Sequence, residues 1–166
     1  MSKSRIFWPL AALLVLADCT TKEIAVDHLS PSYVSHEVLG SLLQFTLVYN
    51  PGTAFGLDLQ PYLGVWTRPV LIAAMTAILA FLAQLYRRAG RSELVAAAAL
   101  ALVCGGAVGN LLDRLRYARG VVDFIDVGFG PHRFWVFNVA DAAITVGALL
   151  LALILVRDEQ TALFRG

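Results

Sequence analysis

Two carboxylates stand out by where they sit. Asp123 lies in an apolar, strand-like stretch, Val-Val-Asp-Phe, and Asp141 lies inside a long apolar run that starts near Asn138. A carboxylate facing an apolar layer either gains a partner or has its pKa raised, and such groups cluster where chemistry is done. Two carboxylates close together cannot both ionise easily, so the pair tends to hold one proton between them. One can then take a proton from water while the other donates to a carbonyl oxygen. That is acid–base hydrolysis without a covalent intermediate.

A structural reading competes. Asn138 and Asp141 are three residues apart and share a helix face. They would also serve as an N-cap and a first-turn acid favoured by the helix dipole. That explanation leaves Asp123 untouched. Asp123 and Asp126 are three apart, so a regular strand points them to opposite faces. Other catalytic sets are weaker. No serine has a convincing histidine partner, the lysines are Lys3 and Lys22, and Cys104 has no nearby histidine in the sequence. His28, His36 and His132 are isolated and no CxxC pair exists, so a structural metal site has little support. Cys19 and Cys104 lie in apolar runs, which argues against a disulfide framework.

Further polar groups sit where apolar ones are the rule. Asp18, Lys22 and Glu23 interrupt the end of the first apolar window. An interfacial or paired position accounts readily for Lys22 and Glu23, less readily for Asp18. Asn110 and Arg114 share a helix face; Arg114 reads as a snorkelling anchor or as a clamp on a backbone carbonyl or lipid phosphate. Gly105 and Gly109 form a GxxxG pair that permits close helix contact. Asn50-Pro51-Gly52 is a turn whose Asn50 could also hydrogen-bond an extended peptide.

The elements that must hold these groups are membrane helices. The chain has 166 residues, 58% hydrophobic, with net charge +1 and mean hydropathy +0.71. The small net charge gives no field for nucleic acid. A helix needs about 20 apolar residues to cross a bilayer. Four windows serve: 6–26, 69–86, 94–112 and 138–156. Leu42–Tyr49, Val121–Val127 and Arg133–Phe137 are rich in β formers and read as strands. The expected fold class is therefore an all-α membrane protein with a small β element on one side, in a single domain spanning 1–166.

Four crossings place both termini and the link Arg87, Arg88, Arg91 on one side. That side carries seven basic residues against six on the other. The short basic link tips the termini towards the cytoplasm. The start resembles a lipoprotein signal up to Cys19, but Asp18 is a poor residue before a cleavage site and three more spans follow.

Five blocks, taken together, resemble a known family. They are Asp18-x-x-Thr21-Lys22, Asn50-x-Gly52-x-Ala54-Phe55-Gly56, Gly105-Gly106-x-x-Gly109-Asn110-x-x-Asp113-Arg114, Gly120-Val121-Val122-Asp123-Phe124 and Phe137-Asn138-x-Ala140-Asp141. Their order and spacing are similar to those of bacterial lipoprotein signal peptidase, or signal peptidase II. The resemblance implies an aspartic endopeptidase that removes signal peptides from prolipoproteins just before a diacylglyceryl-modified cysteine. It implies catalytic roles for Asp123 and Asp141, and substrate-side roles for Asp18, Asn50, Asn110, Arg114 and Asn138. Asp113 becomes a structural acid. Also implied are four transmembrane helices with a periplasmic β-cradle and a short interfacial helix. The setting is the inner membrane, in contact with its lipids, with the site facing the periplasm. The family uses no metal or cofactor and is inhibited by the cyclic peptide globomycin; the chain is expected to act as a monomer. Rival classes are a proton-coupled transporter, which usually shows internal repeats and more spans, and a lipid-binding scaffold built on Arg114, Arg116, Arg119 and Arg133.

Overall fold

The computed structural model describes residues 2–52, 59–90 and 93–163, with side chains to residue 157. Of the residues named above, Ala54, Phe55, Gly56 and Arg91 lie outside this set. In chain order the elements are α1 (Ser4–His28), β1 (Ser35–Leu39), β2 (Leu43–Asn50), a short α2 (Gln60–Leu63), α3 (Thr67–Arg88), α4 (Leu94–Arg116), β3 (Val121–Phe129), β4 (His132–Arg133) and α5 (Val139–Leu163). A 3₁₀ turn, Gly64–Trp66, joins α2 to α3.

The four apolar windows became α1, α3, α4 and α5, each a few residues longer than its window. Among the described residues, three helical stretches are long and apolar enough to cross a membrane: Gln60–Arg88, Leu94–Arg116 and Val139–Arg157. α4 is the hub, packing on α1, α3 and α5. Its small residues allow this. A side chain at Gly105 would crowd Leu14 and the Ala11 backbone of α1, and one at Gly106 would strike the Ala140 carbonyl of α5. The GxxxG pair thus lies against α1, because Gly109 abuts the Asp18 carboxylate.

The bundle has an apolar end and a polar end. At the apolar end Phe7, Leu82, Leu100, Ala101 and Cys104 form the core. There the Lys3 ammonium caps the end of α3 through the carbonyls of Tyr86 (2.6 Å) and Ala89, where positive charge suits the helix dipole. At the opposite end the sheet closes over the helices.

The sheet is antiparallel in the order β1-β2-β3-β4. Three steps along β2, from Phe45 to Val48, match two along β3, from Ile125 to Asp123. This bulge re-aims the strands beside Asp123. Both faces of β3 are covered over Val121–Phe124, and Asp123 and Asp126 are both buried. Asp126 has its charge met by Arg133 at 2.8 Å and accepts a bond from Thr46. The predicted strand Arg133–Phe137 is reduced to the two-residue β4 plus a bridge from Phe137 to Ile125.

Candidate active site

The sequence-selected residues meet where the polar end of the bundle joins the sheet. α5 brings Asn138 and Asp141. Both readings of that pair hold at once. The Asn138 side-chain oxygen accepts from the Asp141 N–H (2.9 Å), and the Asp141 carboxylate accepts from the Asn138 N–H (3.3 Å), which is a reciprocal capping box. The Asn138 amide nitrogen is left to point away from the helix. It donates to Asp123 Oδ1 at 2.6 Å and to Asn110 Oδ1 at 3.1 Å.

β3 brings Asp123, 2% exposed. The Asn50 amide donates to its other oxygen at 3.1 Å. Asn50 is held by its own turn, its side-chain oxygen accepting from the Gly52 N–H at 3.0 Å. Gly120 lets that turn approach. Its φ is +108°, and a Cβ there would collide with the Asn50 carbonyl.

α4 brings Asn110, whose amide nitrogen donates to Asp141 Oδ1 at 2.8 Å. One turn on, Arg114 is buried rather than snorkelling. Its guanidinium donates to the Gly52 carbonyl at 2.5 Å and to Asn110's own carbonyl at 3.4 Å. Of the alternatives open for Arg114, the carbonyl clamp is the one realised. Arg68 in turn donates to the Arg114 carbonyl at 2.7 Å.

Asp18, 1% exposed, looks inward. Oδ1 accepts from the Ala140 N–H of α5 at 2.9 Å. Oδ2 lies 2.7 Å from the Lys22 ammonium, an ion contact rather than an aligned hydrogen bond. Lys22 also lies 2.9 Å from Asp113, whose Oδ2 accepts from the Val122 N–H at 3.0 Å. The role of this lysine is not evident from composition. The signal was the i, i+4 spacing of Asp18 and Lys22, which places both charges on one helix face.

Burial pushes the Asp123 carboxyl up to about 7, with the Asp141 charge adding to the push; the donors Asn50 and Asn138 pull it back by less. Asp141 sits in the first turn of α5. Geometrically, then, two carboxylates from different elements face each other across the Asn110 and Asn138 amides. Such an arrangement can hold a water, remove its proton on one side and return a proton on the other. A surface hollow lies elsewhere, along Gln60, Pro61, Gly64 and Val65. It is shallow and carries none of these groups, so the carboxylates, not the hollow, mark the site. Among the described residues no group of three His, Cys, Asp or Glu is arranged to hold a metal.

Residues 10–157 match the family model for signal peptidase (SPase) II. A lipoprotein signal peptidase of Geobacter metallireducens is 40% identical over 156 residues, covering 94% of this chain and 93% of its own. One from Pseudomonas putida is 39% identical over 158 residues, covering 95% and 91%. A solved bacterial membrane enzyme, determined by the in meso method, superposes with a TM-score of 0.79 at 29% identity, covering 92% of this chain and 88% of its own.

Proposed function

The chain belongs to the signal peptidase II family, and from that premise we propose that Asp123 and Asp141 are the catalytic pair of an aspartic endopeptidase. The protein is a multi-pass membrane peptidase that removes signal peptides from prolipoproteins. The bond cut is the one before the diacylglyceryl-modified cysteine. The observation that carries the aspartic reading is the pairing itself: two carboxylates from β3 and α5, bridged by Asn138 and Asn110.

In the proposed reaction Asp141 starts ionised and Asp123 starts protonated. Asp141 takes a proton from a water between them. The water oxygen attacks the scissile carbonyl carbon, and the Asp123 proton stabilises the oxyanion. Collapse of the tetrahedral species breaks the C–N bond. The amine of the lipidated cysteine leaves with a proton supplied by the pair, and Asp123 regains its own. Asn50 and Asn138 hold Asp123. Asn110 holds Asp141. Arg114 fixes the Asn50 turn through Gly52, beside the path of an extended peptide. Asp18 supports α5 from behind.

The whole chain acts as one domain with four crossings. α1 is the fourth: 25 residues rise about 37 Å, and its flank exposes Leu13, Leu16 and Ile24. Its charges Asp18 and Lys22 are buried and paired, so they do not face lipid. The sheet and the short α2 lie on the periplasmic side as a cradle and interfacial helix, with the termini cytoplasmic. The substrate's two acyl chains keep it in the bilayer, so encounter is largely two-dimensional. The enzyme works as a monomer without a cofactor, and globomycin blocks it.

The test is cleavage of a diacylglyceryl-modified prolipoprotein by purified protein in detergent. Wild type is expected to produce the shifted product and to be stopped by globomycin. D123N and D141N are expected to lose at least about 10³-fold in turnover while eluting as folded protein. Turnover retained by either variant removes that carboxylate from the chemistry. A proton-coupled transporter has no specific observation in its favour here.

A further inference from the structure

Lys22 is 2% exposed at the polar end of the bundle, and burying an ammonium there is costly. Simple neutralisation of Asp18 does not account for what the ammonium touches. Its nitrogen lies 2.7 Å from Asp18 Oδ2, 2.9 Å from Asp113 Oδ2 and 2.9 Å from Asn110 Oδ1. Each contact leads to the reacting pair by a different route. Asp18 takes the N–H of Ala140, the residue before Asp141. Asp113 takes the N–H of Val122, the residue before Asp123. Asn110 donates to Asp141 itself.

The third route also sets an orientation. An ammonium only donates, so the Asn110 atom facing Lys22 must be oxygen. The amide nitrogen must then face Asp141, where it donates to a carboxylate. A flipped Asn110 would set N–H groups against the ammonium and against the Asn138 donor, and an oxygen against Asp141.

Resting on the reading of Asp123 and Asp141 as the reacting pair, we propose that Lys22 is a positioning residue for the cleavage: its buried ammonium fixes the Asn110 amide on Asp141 and, through Asp18 and Asp113, ties together the two backbones that carry the aspartates. Lys22 does not touch substrate. Its effect falls on turnover, not on binding. Its charge also acts on the pair. The charged and titratable groups around the cluster are Asp18 from α1, Asp113 and Arg114 from α4, Asp123 from β3 and Asp141 from α5. Lys22 favours the charged form of Asp123 among them, so its removal moves the alkaline limb of the pH–rate profile upward.

The experiment compares Lys22→Met, Asp18→Asn and the double variant Asp18→Asn/Lys22→Met with wild type, D123N and D141N. Readouts are kcat, KM, the pH–rate profile and thermal unfolding. Asp18→Asn keeps an oxygen for the Ala140 N–H, and the double variant restores the local net charge, so it relieves the carboxylates that Lys22→Met leaves uncompensated. Lys22→Met is expected to lower kcat about 10²-fold, the scale of a small misplacement of reacting groups, with KM within about twofold and the alkaline limb moved up. In the double variant the limb should return towards wild type while kcat stays low, because Asn110 is still unpinned. If both Lys22 variants keep a kcat within about threefold of wild type and an unmoved limb, while D123N and D141N are dead, the inference is overturned and the catalytic pair stands. If D123N or D141N turns over normally, the pair itself is wrong. A double variant that does not fold, where Asp18→Asn alone does, also overturns the inference, since Lys22 is then a folding residue.

Discussion

Asp123 is where burial and electrostatics oppose an ordinary carboxylate. Desolvation, then the Asp141 charge, raise it from 3.8 to about 7. Two outcomes follow. On the proposed mechanism turnover should fall as pH rises through about 7, when Asp123 loses the proton lent to the oxyanion. A pH–rate profile flat from 6 to 9 would contradict this. Stability has the matching sign. Between the unfolded value and about 7 the folded state holds more protons than the unfolded one, so stability is full below the unfolded pKa and declines as pH rises through the folded one. D123N has no proton to lose there. Its melting temperature relative to wild type should therefore rise between pH 5 and pH 8, and a constant difference would show that Asp123 is not raised. Both aspartates were legible in the sequence because apolar neighbours make a carboxylate conspicuous. Lys22 was not, since its partners Asp113 and Asn110 come from a helix some ninety residues away, and only folding reveals them.

Helix and strand boundaries show which patterns carry information. The apolar runs located α1, α3, α4 and α5 because a bilayer-length run has few other readings. β1 was missed for the opposite reason: Ser-His-Glu-Val-Leu is exposed at every position, so no period-2 burial pattern marks it. The strand expected over Arg133–Phe137 breaks after Arg133, whose side chain turns back to Asp126 and the Ser41 carbonyl. The small residues of α4 carry the packing. A Cβ at Gly106 would lie 2.5 Å from the Ala140 carbonyl oxygen and 2.8 Å from Ile144. The Ala140 backbone cannot yield without moving Asp141. Gly106→Ala should cost about 1–3 kcal/mol, seen as a lower melting temperature, together with reduced kcat. Gly90→Ala meets only the flexible Glu93 side chain and should leave both near wild type. Equal behaviour of the two variants would mean that α4 and α5 have room to separate.

At the scale of the molecule, the sheet constrains topology more firmly than the charge count does. β2 precedes α3 and β3 follows α4, yet the two strands are hydrogen-bonded neighbours. The α3–α4 hairpin must therefore leave and return on one side, with the link after Arg88 on the other. That link carries Arg87 and Arg88 at the end of α3, and short basic loops stay cytoplasmic. This supports the proposed periplasmic side for the sheet whatever α1 does, and α1 decides only the N-terminus. If α1 crosses, Ser2 is cytoplasmic; if it lies along the interface, Ser2 shares the sheet's side. Single cysteines can separate these cases in a background with Cys19 and Cys104 replaced. Ser2→Cys, Glu37→Cys and His132→Cys all sit at exposed positions. In intact spheroplasts an impermeant maleimide should label Glu37→Cys and His132→Cys, and should reach Ser2→Cys only after permeabilisation. Labelling of all three in intact cells would reduce the crossings to three. Labelling of Ser2→Cys alone would invert the protein and place Asp123 and Asp141 on the cytoplasmic side, against the proposed periplasmic site.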